Sequence, residues 1–127
     1  LSEIRLGKAL AKYPRDQYVL ASKVGRLLRE TVEQISPTIF KNVPKLEPTF
    51  DYSRNAVLAS IDESLSRLNV DYLDVVHVHD PDDHEDWAIN EAFPTLIQLR
   101  DEGVVKAVAT DQLLRSPAPQ SVRMYAL

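Results

Sequence analysis

Three side chains carry the chemistry this sequence can offer: Lys23, His77 and His79. Lys23 stands near the end of an apolar run, Tyr18-Val-Leu-Ala-Ser-Lys-Val24, and the two histidines alternate with valine in Val75-Val-His-Val-His79. A lysine at the end of a buried strand has two readings. Its stem can snorkel so that the ammonium reaches the rim, or the ammonium can serve a site by shifting the pKa of a neighbouring acid. Two imidazoles two residues apart on one strand share a face, and in that relation they can share one zinc ion. Asp80, Asp82 and Asp83 come directly after them. A His-X-His-X-Asp-His set is nevertheless broken, because Pro81 and Asp82 fill its last two places. No third or fourth ligand is evident, so no metal site is assigned and a metal-dependent hydrolase is the alternative reading. The sequence has no cysteine, which removes thiol catalysis and any disulfide framework.

These residues need elements that bring them together. The segment from Asn69 to Asp82 is the centre of the chain. It leaves a helix at Asn69, runs through the β-branched stretch to His79, and stops at Asp80-Pro81-Asp82. A run this short and this apolar reads as a strand buried on both faces, as in a parallel sheet. Sites are built at the carboxyl ends of such strands. The strongest helix precedes it, Ser53 to Leu68, with Val57, Leu58, Ile61, Leu65 and Leu68 at helical spacing. Ser53 or Asp51 caps its start, Glu63 and Arg67 pair across one turn, and Asn69 takes the left-handed position at its end. Tyr72 and Asp74 hold the start of the strand.

The remaining elements are read in chain order. Ser2 to Ala11 reads as a helix capped by Ser2, with Ile4, Leu6, Ala9 and Leu10 as its apolar face; Gly7 weakens it. Tyr13 to Asp16 is a turn. Tyr18 to Val24 is the first strand. From Gly25 to Tyr52 no period is clear: Arg26–Arg29 and Val32–Ile35 suggest single helical turns, and Pro37, Pro44 and Pro48 make the rest a long loop of the kind that covers a site. His84 and the acids around it read as a solvated loop leading to a helix from Trp87 to Asp101, with Asp86 as its cap. Trp87, Ile89, Phe93, Leu96 and Leu99 supply core contacts, Trp87 being also close enough to a strand end to line a pocket. Pro94 kinks that helix or restarts it. Gly103 ends it, and Val104 to Ala109 is the third strand.

The order of elements predicts an α/β fold, a parallel sheet of about three strands with alternating helices and right-handed crossovers. Residues 1–109 form that unit, and residues 110–127, with Pro117 and Pro119, form an irregular tail. The chain of 127 residues carries a net charge of −4, which speaks against a nucleic-acid surface. No apolar run approaches about 20 residues, so no membrane span is expected, and a cytoplasmic protein is the default.

Several segments together resemble the aldo-keto reductases. Ser2-Glu3, Leu6-Gly7 and Ala9-Leu10 resemble the helix that comes after the family's active-site tyrosine. Tyr18 to Val24 resembles the strand carrying its lysine. Ile61-Asp-Glu-Ser-Leu-Ser-Arg-Leu68 with Asp71-Tyr-Leu-Asp74 resembles its signature helix and strand start. His79-Asp80-Pro81 falls where the family keeps a histidine, and Gly103-Val-Val-Lys106-Ala resembles the entry to the next strand. Phe50-Asp-Tyr-Ser53 is most similar to the branch that oxidises aldoses, fucose, galactose and pyridoxal. The resemblance implies part of a (β/α)8 TIM barrel. It also implies NAD- or NADP-dependent hydride transfer between a carbonyl, as in a sugar or aldehyde, and an alcohol, without a metal. It makes Lys23 and His79 the catalytic residues of this chain. In the family the lysine lowers the pKa of a proton-exchanging tyrosine, and the histidine orients the substrate oxygen.

The family's tyrosine and its lysine-paired aspartate lie just before the helix that begins here at Ser2, and neither is expected among these residues; Asp51-Tyr52 reads as a coincidental pair in the loop. A full barrel takes about 250 residues, so the resemblance predicts a fragment that is inactive alone, with a non-catalytic truncated product as a further alternative. Cofactor-binding residues are not identified.

Overall fold

The computed structural model describes residues 2–30 and 46–110. Helix α1 (Ser2–Leu10) leads through a short 3-10 turn, Arg15–Gln17, into strand β1 (Ala21–Val24). Strands β2 (Arg26–Glu30) and β3 (Leu46–Phe50) come next, then helix α2 (Arg54–Leu68) and strand β4 (Leu73–Val78). After a 3-10 turn at Asp82–His84 come α3 (Glu85–Trp87), a π-helical turn (Ala88–Ala92), α4 (Phe93–Asp101) and strand β5 (Val105–Thr110).

Strands β1, β4 and β5 form one parallel sheet in that order, with β4 at its centre. The apolar run around Val75 is thus the central strand, but it is buried on one face and not both: Val76 and Val78 are buried, while Val75 and His77 are half-buried. Val24, Val76 and Val78 are buried with Val57 and Ile61 of α2 and Phe93 and Leu96 of α4. The helices thus cover one face of the sheet. Side chains of the other parity, Ala21, Lys23, Val75, His77, Ala107 and Ala109, lie on the opposite face.

Local signals account for α2 closely. The Ser53 hydroxyl accepts from the Ala56 amide, and Asn69 ends the helix at φ 56°, ψ 53° with its amide reaching back to Leu65 and Ser66. Tyr52 and Val57, on either side of the cap, are both fully buried, the positions of a hydrophobic staple.

Helix α1 packs differently from its expected apolar face. Ile4 and Leu6 are exposed, while Gly7 is buried. A Cβ at Gly7 would stand 2.6 Å from the Leu68 carbonyl oxygen, so glycine is what lets α1 rest on the end of α2. Ser2 is already inside the helix and does not cap it from outside. Glu3 completes the contact: it accepts from Ser22 at 2.8 Å and from Arg67 at 2.7 Å, and Arg67 also holds Glu63 at 2.8 Å. Burial pushes the Glu3 carboxyl up, but its Arg67, Ser22 and Ser64 partners outweigh this and leave it below its ordinary value.

Two further expectations change. The expected helical turn at Arg26–Arg29 is strand β2, paired antiparallel with β3 from Arg26↔Phe50 to Glu30↔Leu46. Pro48 fits there because each strand of a two-stranded sheet is an edge. Val32–Ile35, Pro37, Pro44 and residues 111–127 lie outside the described residues. Asp86 is not a cap: it sits within α3, which begins a residue earlier after the 3-10 turn, with no side-chain cap at all. Pro94 does restart the helix. It falls in the first turn of α4, and the preceding π turn absorbs the backbone bond that proline cannot make. The third strand runs to Thr110, one residue beyond its expected end. Among the described residues no helix is long and apolar enough to cross a membrane.

Asp74 organises the amino-terminal end of the sheet. Its carboxylate accepts from the Leu20 amide at 2.9 Å and Arg15 at 2.6 Å, and Lys106 lies 3.1 Å away. Arg15 also donates to the Tyr18 and Tyr72 carbonyls and lies 3.9 Å over the Tyr72 ring. Burial raises the Asp74 carboxyl, yet the Leu20, Arg15 and Lys106 donors more than reverse this and hold it below its ordinary value. A lowered folded-state pKa means stability present above the unfolded value and lost as pH falls through the folded one. Asp74→Asn should therefore cost about 1–3 kcal/mol at neutral pH, and that cost should shrink as pH drops below about 4. Urea denaturation at both pH values checks it; an equal loss at both would contradict the ionic role.

Candidate active site

The carboxyl end of the parallel sheet brings the singled-out residues together. Lys23 is in register with His77, and His77 with Ala109, so these three share one row on the face away from the helices. His79 has the same parity and lies two residues further along β4. Its amide donates to the Val24 carbonyl at 2.9 Å, so the β1–β4 pairing reaches one residue past the strand. Lys23 is exposed, and both histidines are partly buried. His77 Nδ1 is buried with no hydrogen-bond partner among the described residues, which suits a position one layer below the open end.

Around His79 the chain is tightly built. His79 Nε2 lies 3.3 Å from the Asp80 carboxylate, which also faces Arg26 at 3.6 Å. Asp80 has φ 46°, a left-handed conformation uncommon for a residue with a side chain. The Tyr52 hydroxyl donates toward both the His79 carbonyl at 2.7 Å and the Asp80 carbonyl at 2.8 Å. Asp51-Tyr52, read as a coincidental pair and not as the family's aspartate and tyrosine, has a structural part: Tyr52 is fully buried against the end of β4.

Beside it stands a group of rings. Phe50 stacks on Tyr52 at 6.2 Å, His84 lies 5.2 Å from Phe50 and 5.7 Å from Tyr52, and Trp87 meets Tyr52 edge-on at 5.8 Å. His84 is therefore packed among aromatic rings, not in a solvated loop. Trp87 is 37% exposed and Phe93 1%, so only Phe93 takes the core role expected of both. A hollow of about 390 Å³ runs along Asp82, Asp83, His84, Glu85, Asp86 and Trp87.

The row of donors can stabilise negative charge on an oxygen. An ammonium and imidazole N–H groups suit a carbonyl that gains electron density or an alcohol that loses a proton. Among the described residues no three His, Asp or Glu side chains converge as metal ligands. The sequence holds three glycines, Gly7, Gly25 and Gly103, too few and too scattered for a glycine-rich phosphate loop. Tyr52 is the structural residue that sequence reasoning missed. Its signal was the aromatic residue directly before the Ser53 cap, with Val57 four residues after that cap.

Residues 1–112 match the model of the aldo/keto reductase family. The chain is 38% identical to D-threo-aldose 1-dehydrogenase of Pseudomonas sp over 97% of its own length and 39% of that enzyme. It is 35% identical to L-galactose dehydrogenase of Arabidopsis thaliana over 85% of its length and 29% of the relative's. The chain thus spans about two fifths or less of the curated relatives it matches. Among solved structures, glycerol dehydrogenase from Gluconobacter oxydans superposes with a TM-score of 0.67 at 26% identity, covering 86% of this chain and 29% of that one.

Proposed function

The chain belongs to the aldo/keto reductase family and folds as part of its barrel, and from that premise we propose that it supplies the lysine and histidine of a site interconverting a carbonyl and an alcohol. The observation that carries this reading is the placement of Lys23 and His79 on one face, at the carboxyl ends of two paired parallel strands. That is the end and the face on which barrel enzymes build their sites.

In this reading His79 donates an imidazole N–H to the substrate oxygen and fixes its direction. Lys23 sets a positive charge next to the proton-exchanging tyrosine of the family, lowering that group's pKa. A nicotinamide cofactor, NAD or NADP, supplies or accepts the hydride when bound. The N–H donors serve the substrate oxygen, and no residue of this chain is assigned to the cofactor. The substrate class is a sugar or another small aldehyde or alcohol, in keeping with the aldose and galactose named for the two relatives.

The test is direct. The full-length protein that contains this chain is mixed with NAD or NADP in the oxidised form and a panel of aldoses, and with the reduced cofactor and aldehydes in reverse. The expected result is cofactor-dependent turnover with at least one aldose and no response to chelators. Absence of turnover in both directions, together with stoichiometric zinc by elemental analysis, would replace this reading by the metal-dependent hydrolase.

A further inference from the structure

We infer that Tyr52 is a positioning residue that clasps the two site-bearing strand ends together and so sets the direction of His79; the inference deepens the reading above and rests on it for the word "site". The phenol has one hydrogen and two carbonyl oxygens in reach, His79 O at 2.7 Å and Asp80 O at 2.8 Å. Consecutive carbonyls of an extended strand point in opposite directions. They can converge on one hydroxyl only if the chain turns between them, and Asp80 at φ 46° is that turn.

The other side of the ring holds β1. Gly25 stands two residues after Lys23 and has φ 97°. A Cβ on it would stand 2.3 Å from the Tyr52 ring, so the ring lies directly on the Gly25 backbone. The Asp51 amide adds a bond to the Gly25 carbonyl at 3.0 Å. Tyr52 thus touches the end of the lysine strand with its ring and the end of the histidine strand with its hydroxyl. Neither contact is replaceable by water, since the side chain is fully buried, and a buried phenol without an acceptor is costly.

The clasp also fixes the neighbours of His79. A left-handed backbone is uncommon for a residue with a side chain, and the shared phenol bond favours it at Asp80. In that conformation the Asp80 carboxylate lies 3.3 Å from His79 Nε2 and 3.6 Å from Arg26. Without the hydroxyl, Asp80 can return to an extended conformation, and both contacts go with it.

Tyr52→Phe in the full-length protein keeps the ring on Gly25 and removes only the clasp. The expected result is a fall in kcat of about 10- to 100-fold, with KM changed far less, because the group that orients the reacting oxygen has moved while the pocket walls have not. Proton NMR of the histidine rings at one pH gives a second readout that needs no turnover. The His79 ring resonances are expected to shift in Tyr52→Phe and those of His77 to stay. An unchanged kcat with superimposable His79 resonances would overturn the inference. Shifted His79 resonances in a protein without turnover would uphold the clasp and sink the proposed activity, so the two failures are distinguishable. Should Tyr52→Phe not fold, amide exchange on the wild type decides. The His79 amide, bonded to Val24 O, exchanges as slowly as the interior of β4 if the end is clasped. Exchange as fast as a fraying strand end would contradict it.

Discussion

Under the proposed reading, Lys23→Met in the full-length protein should lower kcat/KM for alcohol oxidation by about 10²- to 10⁴-fold at neutral pH. Methionine keeps the length and apolar character of the stem and removes only the charge. Lys23 is exposed on the face away from the helices, so no core contact is given up. The pH profile carries the mechanism. In that reading the ammonium favours ionisation of the family's proton-exchanging tyrosine, and its loss should reduce the ionised fraction at neutral pH. Oxidation by the variant should therefore recover partly as pH is raised, while that of the wild type does not need to. Steady-state kinetics of both proteins across the alkaline range measure this. If Lys23 merely snorkels to the rim, the variant stays within about twofold of wild type at every pH, and the site reading fails at its first residue.

The contrast between what sequence showed and what it hid tracks the range of the interactions. The ends of α2 were legible because the Ser53 cap and the left-handed Asn69 are settled within a few residues. β4 was legible because its β-branched run allows little else, and Asp74 at its start was correctly read as a holding residue. Lys23 and His79 could be singled out as strand-end residues, but their relation depends on the β1–β4 register, which no local pattern encodes. The pairing of β2 with β3 was missed for the same reason: its partners are separated in sequence, and Pro48 argued against a strand. The structural role of Tyr52 was hidden because its burial comes from Gly25 and its acceptors from His79 and Asp80. Each lies more than twenty residues from it in sequence. Gly7 was read as a weakness of α1 when it is the point of contact with Leu68, a packing fact invisible to helix propensity.

Phe93 and Trp87 illustrate the same limit and yield the largest stability effect. Both are read as core residues from the sequence, although side chains six residues apart on a regular helix point about 120° apart. In the structure a π turn also lies between them, from Ala88 to Ala92. The extra residue in that turn rotates the segment before Pro94 against the helix after it. Phe93 ends up under the sheet at 1% exposure with Val76, Val78 and Leu96, whereas Trp87 is left at the rim beside His84. Phe93→Ala opens a cavity in the middle of the packed layer that covers β4, and should cost about 3–5 kcal/mol. Trp87→Ala loses an edge contact with Tyr52 and partly exposed area, worth about 1 kcal/mol. Urea denaturation of the two variants gives the comparison. A loss at Phe93 several-fold greater is the expected result, from its deeper burial. Similar losses would contradict the core role of Phe93. On the site side the order reverses: Trp87 lines the hollow along Asp82 to Asp86, and under the proposed reading its replacement should raise KM while Phe93→Ala, where it stays folded, should not.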